Sequence, residues 1–385
     1  MIDNYRIIVI MILIYIKGVR QMRDLGIYFG TFAPCHVGHL EQIIRAKREN
    51  AHALVIVSGY EGDRGDLAGM SLTNRVKAMR ELLKDDTNVT VLTLDETNIP
   101  RYPDGWKPWL TLLQEKIETA ATENNYAMQS VTFYVGEEEY IQPLDEYFKG
   151  VFKSSDVQIT KVDRRITGIS GTSIRENPIL NWDFVTRPFR RFFVQNILII
   201  GTASTGKTTL VRDLARRYST SYSLEYSREY QTIRQVRDDE LDIKDLHAIG
   251  IGQFELNRKH IHSPGTRKVF FADTDVMTTK LYTKLYAPPE DYEKIAPVFD
   301  YYISLQTWAL IIVLPPTTQY VDDGFRDMSM ADQKARLDMH QMFLDEIKYQ
   351  GLEDKMVVLK GNSFQEKYEE AHRLVDEILA DGKDN

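Results

Sequence analysis

Hydrophobic residues in the first half of the chain fall into short runs that alternate with amphipathic segments. The runs are rich in β-branched and aromatic residues, which favours strands, and they lie at residues 25–29, 53–58, 89–94, 131–135 and 157–162. Between them, apolar residues recur at helical spacing, as in segments 72–83 and 110–121. Strands that alternate with helices pair in parallel through right-handed crossovers. The pattern therefore predicts an α/β domain with a doubly wound parallel sheet.

The same alternation begins again in the second half of the chain. Strands are predicted at residues 197–200, 269–272, 310–314 and 356–359, with a short further strand just before Glu225, and long helices at 244–262, 331–349 and 364–379. The join at 181–195 is short and holds Pro188 among arginines and aromatic residues. We therefore place a boundary near 190–195 and predict two domains, residues 23–190 and 191–385, each with its own doubly wound sheet.

The first residues of the chain stand outside this pattern. Residues 7–16 are strongly apolar, but a helix of that length spans only about half of a bilayer. The segment that follows, 17–20, offers no small-residue cleavage site for a signal peptide. We interpret residues 1–22 as a dispensable extension ahead of a start near Met22, and we predict no stable membrane insertion. A weak membrane anchor is the alternative.

Composition and charge narrow the class of protein. Hydrophobic residues make up 43% and charged residues 27% of the chain, as in soluble globular proteins. The net charge of −8 argues against a nucleic-acid partner, because proteins bind nucleic acids through a positively charged face. We interpret the basic cluster at 187–191 as a solvated linker, with a binding patch as the alternative. The single cysteine, Cys35, excludes an internal disulfide and indicates a cytoplasmic protein; a homo-oligomer is left open.

The most specific motif follows the apolar run at 197–200. It has the G-x-x-x-x-G-K-[ST] spacing of a phosphate loop, with a predicted strand before it and a helix after it. Its glycines let successive backbone N–H groups curl around a phosphate, and the helix N-terminus adds partial positive charge. Lys207 can reach the β- and γ-phosphates, while the Thr208 hydroxyl can ligate Mg²⁺. We predict an ATP site formed by Gly201, Thr202, Ala203, Ser204, Thr205, Gly206, Lys207, Thr208 and Thr209.

A buried strand that ends in acids follows this loop along the chain. Residues 269–272 are apolar, and Asp273 and Asp275 come directly after them. This is the form expected of the strand that carries a magnesium-facing acid in a P-loop protein. We predict Asp273 and Asp275 as metal ligands together with Thr208; a surface or helix-capping role is the alternative for each acid.

A second phosphate-binding pattern follows the first strand. Residues 30–39 contain His36, Gly38 and His39 where a loop turns into a helix, so that two imidazoles and a helix N-terminus can converge on one anion. A zinc pair or structural histidines are the alternative, but no third ligand cluster lies nearby. Segment 169–175 adds hydroxyl groups and Arg175 after the last strand of this domain. Alone it would be a helix cap, but beside the histidine pair it indicates a second phosphate-binding loop.

Together these motifs resemble a known family. The H-x-G-H element at 36–39 and the I-S-x-T-x-x-R element at 169–175 are similar to those of the nucleotidyltransferase superfamily of adenylyltransferases, whose domain is Rossmann-like. Their combination with a P-loop kinase resembles the NadR-type bifunctional family. That family joins a nicotinamide-mononucleotide adenylyltransferase to a ribosylnicotinamide kinase. The resemblance covers about residues 23–380, and the order of the two domains matches.

The resemblance implies roles for the N-terminal residues, with ATP and Mg²⁺ as cofactors. His36 and His39 would bind and polarise the ATP phosphates, and Ser170, Thr172 and Arg175 would hold the β- and γ-phosphates. The implied ATP site comprises Gly30, Thr31, Phe32, His36, Gly38, His39, Ser170, Gly171, Thr172 and Arg175. The segment at 99–109 is similar to the one that places the nicotinamide ring, with Trp106 and Trp109 in it; core aromatics around a turn are the alternative. Asp63, Arg64 and Arg75 fall in regions that the family uses near its substrates.

The kinase domain has a segment that the resemblance places at the riboside, and its residues also suggest a base and a lid. Glu225, Tyr226 and Arg228 lie in the segment similar to the one that faces the riboside. Glu225 or Asp273 could accept the proton of the 5′-hydroxyl, and the sequence does not choose between them. Segment 315–326 has the composition of a mobile lid whose Arg326 would meet the transferring phosphoryl group, with Asp322 and Asp323 orienting it. An exposed turn is the alternative.

These expectations combine into a bifunctional NAD salvage enzyme whose partners are small molecules: ATP, nicotinamide riboside and nicotinamide mononucleotide. A kinase with a nucleotide-sensing, catalytically weak N-terminal domain is one alternative. An NAD-responsive transcription regulator is another, but the residues before the first strand are too few for a helix-turn-helix domain and the chain is acidic. A third alternative keeps both chemistries but with another nucleoside or a different adenylyl acceptor, because phosphate-binding motifs do not report the base.

Overall fold

The computed structural model describes residues 22–101, 103–162, 168–322 and 324–381. It divides into two compact units, one extending to Arg175 and taking in Asp183–Phe189, the other holding Glu176–Trp182 and continuing from Arg190. The domain boundary near 190–195 stays a prediction. The extension at residues 1–21, with its apolar run, lies outside the described residues.

The first unit is built on a five-stranded parallel sheet. Its strands are β1 (Arg23–Gly30), β2 (Asn50–Gly59), β3 (Val89–Asp95), β4 (Ser130–Val135) and β5 (Asp156–Lys161), in the order β3-β2-β1-β4-β5. Its helices are Val37–Glu49, Leu72–Leu82, Trp106–Glu123 and Ile141–Val151, and all but the last residue of Gly171–Glu176 and of Arg187–Arg190 also belong to it. β1 is central, and Ile27 pairs with Leu54 on one side and Phe133 on the other. The strand order reverses between β1 and β4, and such a switch point leaves a crevice at the carboxyl ends of the strands.

The second unit repeats this architecture with a different strand order. Its strands are β6 (Gln195–Gly201), β7 (Tyr222–Ser223), β8 (Val269–Asp273), β9 (Leu310–Leu314) and β10 (Met356–Val358), all parallel, in the order β10-β9-β6-β8-β7. Its helices are Lys207–Arg217, Tyr226–Arg234, Ile243–Ile261, Val276–Tyr286, Pro289–Ser304, Gln333–Tyr349 and Phe364–Asp381. Ile199 pairs with Asp273, so the phosphate loop after β6 and the acid that ends β8 meet at one edge of the sheet.

The α/β class and the doubly wound parallel sheets predicted from the sequence are confirmed. The ends of elements differ where a cap decides them. The helix predicted at 331–349 begins at Gln333, because the Asp332 carboxylate accepts a hydrogen bond from the Ala335 N–H and caps it. The interpretation of residues 187–191 as a solvated linker is wrong: Arg187–Arg190 is a short helix, and its Phe189 is fully buried. Across the described ranges, no helix combines the length and apolar character needed to cross a bilayer.

Candidate active sites

A cavity of about 620 Å³ opens at the carboxyl edge of the first sheet. It lies at the switch point, where the loops after β1 and β4 face each other. The residues predicted for the N-terminal site that line it are Gly30, Thr31, Phe32, His36, Gly38, His39, Arg64, Trp106, Trp109, Ser170, Gly171, Thr172 and Arg175. Asp63 and Arg75 do not line it.

His36 and His39 form a stacked pair at the start of the helix Val37–Glu49. His36 has an extended backbone and caps the helix, its Nδ1 accepting from the Gly38 N–H at 3.2 Å. The two imidazole rings lie 3.8 Å apart at 25°, and the Phe32 ring meets His39 edge-on at 5.1 Å. No third histidine, cysteine or acid joins them in a metal-binding group among the residues that the structure describes. The pair therefore presents nitrogen atoms and a helix N-terminus to the cavity, an arrangement suited to an anion.

Arg175 links the two loops of this phosphate-binding pattern. Its Nη1 donates to the Ala33 carbonyl at 2.6 Å, and its Nη2 donates to the Thr172 hydroxyl at 3.1 Å. The Ser170 hydroxyl accepts from the Ser173 N–H at 3.0 Å, which caps the short helix Gly171–Glu176. A guanidinium and several hydroxyl groups thus line the same cavity as the histidine pair.

An aromatic wall closes another side of the cavity. Trp106 stacks on Trp109 at 5.3 Å and on Tyr140 at 5.2 Å. The Trp109 indole donates to the Glu96 carboxylate at 3.1 Å. No sequence motif marks Glu96 or Tyr140, because Glu96 is a lone acid after a strand and Tyr140 a tyrosine after an acidic run. The predicted segment at 99–109 also includes Tyr102, which lies outside the described residues.

Arg75 requires a correction, because it does not line the cavity. Its side chain is fully buried; Nη2 pairs with Asp63 at 2.6 Å and Nη1 donates to the Thr31 carbonyl at 2.9 Å. The Asp63 carboxylate also accepts from the N–H groups of Gly65 and Asp66. Burial alone would raise the pKa of Asp63, but these N–H groups and Arg75 hold it below 3.8. The pair positions the loop that carries Thr31 and has no access to a ligand.

The second cavity, about 660 Å³, surrounds the phosphate loop. The predicted residues that line it are Gly201, Ala203, Ser204, Thr205, Gly206, Lys207, Thr208, Thr209, Glu225, Arg228, Asp273 and Arg326. Gly206 has a φ of 90°, which favours glycine. A Cβ on Gly201 would lie 2.6 Å from the Leu314 carbonyl, so the loop approaches β9 as only glycine permits. Leu256, Thr278 and Tyr282 also line this cavity, and no sequence motif marks them.

Thr208 and Asp273 meet at the base of this cavity. The Thr208 hydroxyl donates to Asp273 Oδ2 at 2.5 Å. Burial raises the pKa of Asp273 to about 6, and the positive charge of Lys207 opposes the rise. The other carboxylate oxygen, Oδ1, is buried and has no hydrogen-bond partner among the described residues. A buried carboxylate oxygen beside a hydroxyl is the donor set that Mg²⁺ prefers.

Three residues predicted for the second site lie away from its cavity. Asp275 caps the helix Val276–Tyr286 by accepting from the Met277 N–H at 3.1 Å, and burial raises its pKa to about 7. Tyr226 packs its ring against Gly252 instead of facing the cavity. The Thr202 side chain is buried, and its carbonyl accepts from Lys207 Nζ at 3.1 Å. We therefore correct the metal role of Asp275 and the riboside contact of Tyr226.

Glu225 lies near the positively charged side chains of Arg228 and Lys207 in the same cavity. Its Oε2 lies 3.9 Å from Arg228 Nε, and its Oε1 accepts from the Ser227 hydroxyl at 2.8 Å. Burial alone would raise the pKa of Glu225, but Arg228 and Lys207 outweigh it and hold the pKa below 4.5. Glu225 is therefore ionised at neutral pH, whereas burial shifts Asp273 toward protonation.

Arg326 lies against the phosphate loop. Its Nη1 donates to the Ser204 hydroxyl at 2.7 Å and to the Val321 carbonyl. The Val321 N–H also donates to that hydroxyl, at 2.9 Å. Val321 and Arg326 thus both contact the phosphate loop through Ser204, as residues of a lid over that loop would. Asp323, predicted to orient this arginine, lies outside the described residues.

The fold and the two sites define the class of this protein, which has a Rossmann-like nucleotidyltransferase domain followed by a P-loop kinase domain. Two family models match the chain, one in each half. Residues 27–177 match a cytidylyltransferase-like model, and residues 196–367 match an AAA domain model.

Solved structures of NadR protein are similar over nearly the whole chain. The one in complex with NR has 37% identity and a TM-score of 0.83, covering 93% of this chain and 96% of that chain. The one in complex with NAD and AMP-PNP has the same 37% identity and a TM-score of 0.81, with coverage of 93% and 96%. The trifunctional NAD biosynthesis/regulator protein NadR of Salmonella typhimurium is 28% identical over 380 residues, 94% of this chain and 85% of that protein. The chain belongs to the NadR family of NAD biosynthesis proteins.

Proposed function

We propose that the two cavities catalyse consecutive steps of NAD synthesis. The kinase domain, residues 191–385, phosphorylates nicotinamide riboside with ATP and yields nicotinamide mononucleotide and ADP. The nucleotidyltransferase domain, residues 23–190, transfers AMP from a second ATP to that mononucleotide and yields NAD and pyrophosphate. One observation carries the proposal: each unit gathers its own set of phosphate-facing groups in a single cavity. The ligands of the two similar NadR structures, NR in one and NAD with AMP-PNP in the other, support this choice of substrates.

In the adenylyl transfer, an oxygen of the mononucleotide phosphate attacks the α-phosphorus of ATP. The bond from that phosphorus to the bridging oxygen breaks, and pyrophosphate leaves with the electron pair. The attacking phosphate is ionised at neutral pH, so this step needs no general base. The histidine pair, the helix N-terminus and Arg175 stabilise the charge that develops on the triphosphate. Alignment of the two substrates can supply about 7–11 kcal/mol.

The aromatic wall holds the nicotinamide ring in this proposal. The pyridinium ring of the mononucleotide carries a positive charge, and indole faces attract cations. Trp106 lines the cavity, and stacking on Trp109 and Tyr140 fixes the plane of its ring. The positively charged nicotinamide ring therefore packs against a rigid aromatic surface that attracts cations.

In the kinase step, Glu225 accepts the proton of the riboside 5′-hydroxyl. Its carboxylate is ionised and faces the cavity, whereas Asp273 is engaged with Thr208. The 5′-oxygen then bonds to the γ-phosphorus, the bond from that phosphorus to the β–γ bridging oxygen breaks, and ADP leaves. Lys207 and Arg326 offset the negative charge on the transferring group.

Thr208 and Asp273 would hold Mg²⁺ in the kinase site. The unpartnered Oδ1 of Asp273 and the adjacent hydroxyl fit this role. The ion neutralises charge on the β- and γ-phosphates when it is bound.

The proposed partners are small molecules, and the proposed location is the cytoplasm. Cys35 is fully buried, and burial raises the pKa of its thiol to about 12, so the thiol is unreactive. Cytoplasmic location stays a prediction from the single cysteine.

Separate assays of the two half-reactions test the proposal. The purified full chain is given nicotinamide riboside with Mg-ATP, or nicotinamide mononucleotide with Mg-ATP, and products are followed by mass spectrometry. We expect mononucleotide and NAD in the first assay and NAD in the second. His39→Ala should lose only adenylyl transfer and Lys207→Ala only phosphorylation, so each variant is the folding control for the other. Mononucleotide without NAD in the wild type would contradict the adenylyl-transfer half and favour a sensing domain.

A further inference from the structure

A pair of buried amide side chains contacts the main chain around the proposed base of the kinase site. Gln253 and Asn257 lie four residues apart on the helix Ile243–Ile261, so their side chains share one face of it. Each residue is only 1% exposed. Neither of them lines the cavity around the phosphate loop, and the proposed phosphoryl transfer does not involve them.

Gln253 holds the backbone on both sides of Glu225. Its Oε1 accepts from the Tyr226 N–H at 2.7 Å, and its Nε2 donates to the Leu224 carbonyl at 3.2 Å. The Glu225 side chain makes no capping hydrogen bond to the helix Tyr226–Arg234, which it precedes. Because Gln253 accepts from the first N–H of that helix, the carboxylate of Glu225 is left to face the cavity.

Asn257 continues this chain of hydrogen bonds to the end of β8. Its Oδ1 accepts from Gln253 Nε2 at 2.9 Å and from the Ser223 hydroxyl at 2.6 Å. Its Nδ2 donates to the Thr274 carbonyl at 3.3 Å. Thr274 directly follows Asp273 and has a φ of 80°, a conformation that β-branched residues rarely adopt. The bond from Asn257 therefore helps to hold the main chain that carries the proposed magnesium ligand.

We propose that Gln253 is a positioning residue for phosphoryl transfer. Through its two main-chain hydrogen bonds, and with Asn257 as its support, it sets the direction in which the Glu225 carboxylate meets the substrate hydroxyl. Every nitrogen and oxygen of the two amide groups has a hydrogen-bond partner, and a buried network that is satisfied in this way is rigid. The inference rests on the proposed kinase step and adds the residue that holds its base in place.

A double-variant cycle tests whether Gln253 acts through Glu225. Gln253→Met keeps the length of the side chain and removes both main-chain hydrogen bonds. A misplacement of about 1 Å can cost about 10²-fold in rate, so kcat for phosphorylation of nicotinamide riboside should fall by about that factor. The KM for ATP should stay within about threefold, because the phosphate loop is unchanged. In a Glu225→Gln background the same substitution should change kcat by less than about threefold, since there is no base left to misplace.

Asn196→Leu is the matched control for the loss of a buried amide. Asn196 belongs to the same domain and is 8% exposed, and its Nδ2 donates to the Thr307 carbonyl at 3.0 Å, away from the cavity. This variant should keep kcat within about threefold of wild type, whatever it costs in thermal stability. If Gln253→Met does not fold, Gln253→Glu repeats the cycle. It retains the shape and the acceptor for the Tyr226 N–H, and it should lose about tenfold in kcat only where Glu225 is present.

The outcomes separate the inference from the proposed function. Equal losses from Gln253→Met in the two backgrounds would show a merely structural role and overturn the inference. A wild-type kcat in Gln253→Met, or an equally large loss in Asn196→Leu, would overturn it as well, and the kinase step would still stand. A wild type that forms no mononucleotide from the riboside, or a Glu225→Gln variant with full activity, would instead contradict the proposed kinase step or its base.

Discussion

The Thr208 hydroxyl donates to the Asp273 carboxylate across 2.5 Å, joining the first turn of the phosphate-loop helix to the end of β8. The contact follows from topology, because β6 and β8 are adjacent and their carboxyl ends lie at one edge of the sheet. It places the two proposed magnesium ligands side by side.

Thr208→Val tests this contact. Valine has nearly the shape of threonine but no hydroxyl, so we expect phosphorylation of nicotinamide riboside to fall by about 10²-fold. Thr208→Ser keeps the hydroxyl and should stay within about threefold of wild type. The measurement is kcat for mononucleotide formation across a magnesium titration, and equal activity of the two variants would contradict the ligand role.

Asp275→Asn tests whether the two acids at the end of β8, Asp273 and Asp275, have different roles. Asparagine can accept from the Met277 N–H as the aspartate does, so the helix cap survives. We expect kinase activity within about threefold of wild type, whereas Asp273→Asn should lose about 10²-fold. A comparable loss of kinase activity in both variants would show that Asp275 also acts as a metal ligand.

The buried pair of Asp63 and Arg75 predicts a pH-dependent stability effect. The folded state lowers the pKa of Asp63 below 3.8, so this stabilisation is fully present above that pH and is lost as the pH falls through the folded value. Asp63→Asn leaves Arg75 buried without its partner and should cost about 3–5 kcal/mol at pH 7.

Hydrogen exchange of β1 amides at pH 8, 6, 4 and 3 measures this cost. The difference from wild type should stay constant between pH 8 and about pH 5 and decrease only below about pH 4. Asp66 is a partly exposed acid in the same loop and accepts from the Gly62 N–H at 2.8 Å; Asp66→Asn should cost under about 1 kcal/mol. A difference that already decreases between pH 8 and pH 6 would contradict the assignment.

Arg326→Ala should slow phosphoryl transfer without weakening riboside binding. Arg326 contacts Ser204 of the phosphate loop at 2.7 Å and lines the cavity. An arginine that stabilises a transferring phosphoryl group is worth about 10³-fold or more in kcat, so we expect a loss of that order with little change in the KM for the riboside. Adenylyl transfer by the same variant is the control, and a change confined to KM would assign Arg326 to binding alone.

Motifs that report a backbone shape could be located from the sequence. The spacing of Gly201, Gly206 and Lys207 requires a strand, a tight loop and a helix, and the structure has this order. His36 and His39 lie on the first turn of a helix for the same reason. In both cases the local sequence determines where the groups point.

The side chains whose orientation depends on distant partners could not be predicted. Arg75 points inward because Asp63 and the Thr31 carbonyl, far apart along the chain, receive it. Asp275 is a different case, because it caps its own helix through the nearby Met277 N–H. Glu96 is marked only by its contact with Trp109, and Tyr282 enters the kinase cavity from a helix that no motif identifies.

The central claim is that two independent sites act in sequence, and rescue of Lys207→Ala by nicotinamide mononucleotide tests it most directly. NAD is measured after incubation of this variant with Mg-ATP and either nicotinamide riboside or the mononucleotide. We predict no NAD from the riboside and a wild-type rate of NAD formation from the mononucleotide. Formation of NAD from the riboside would show that the phosphate loop at 201–208 is not needed for phosphorylation. Absence of NAD formation from the mononucleotide would contradict an independent adenylyl-transfer site.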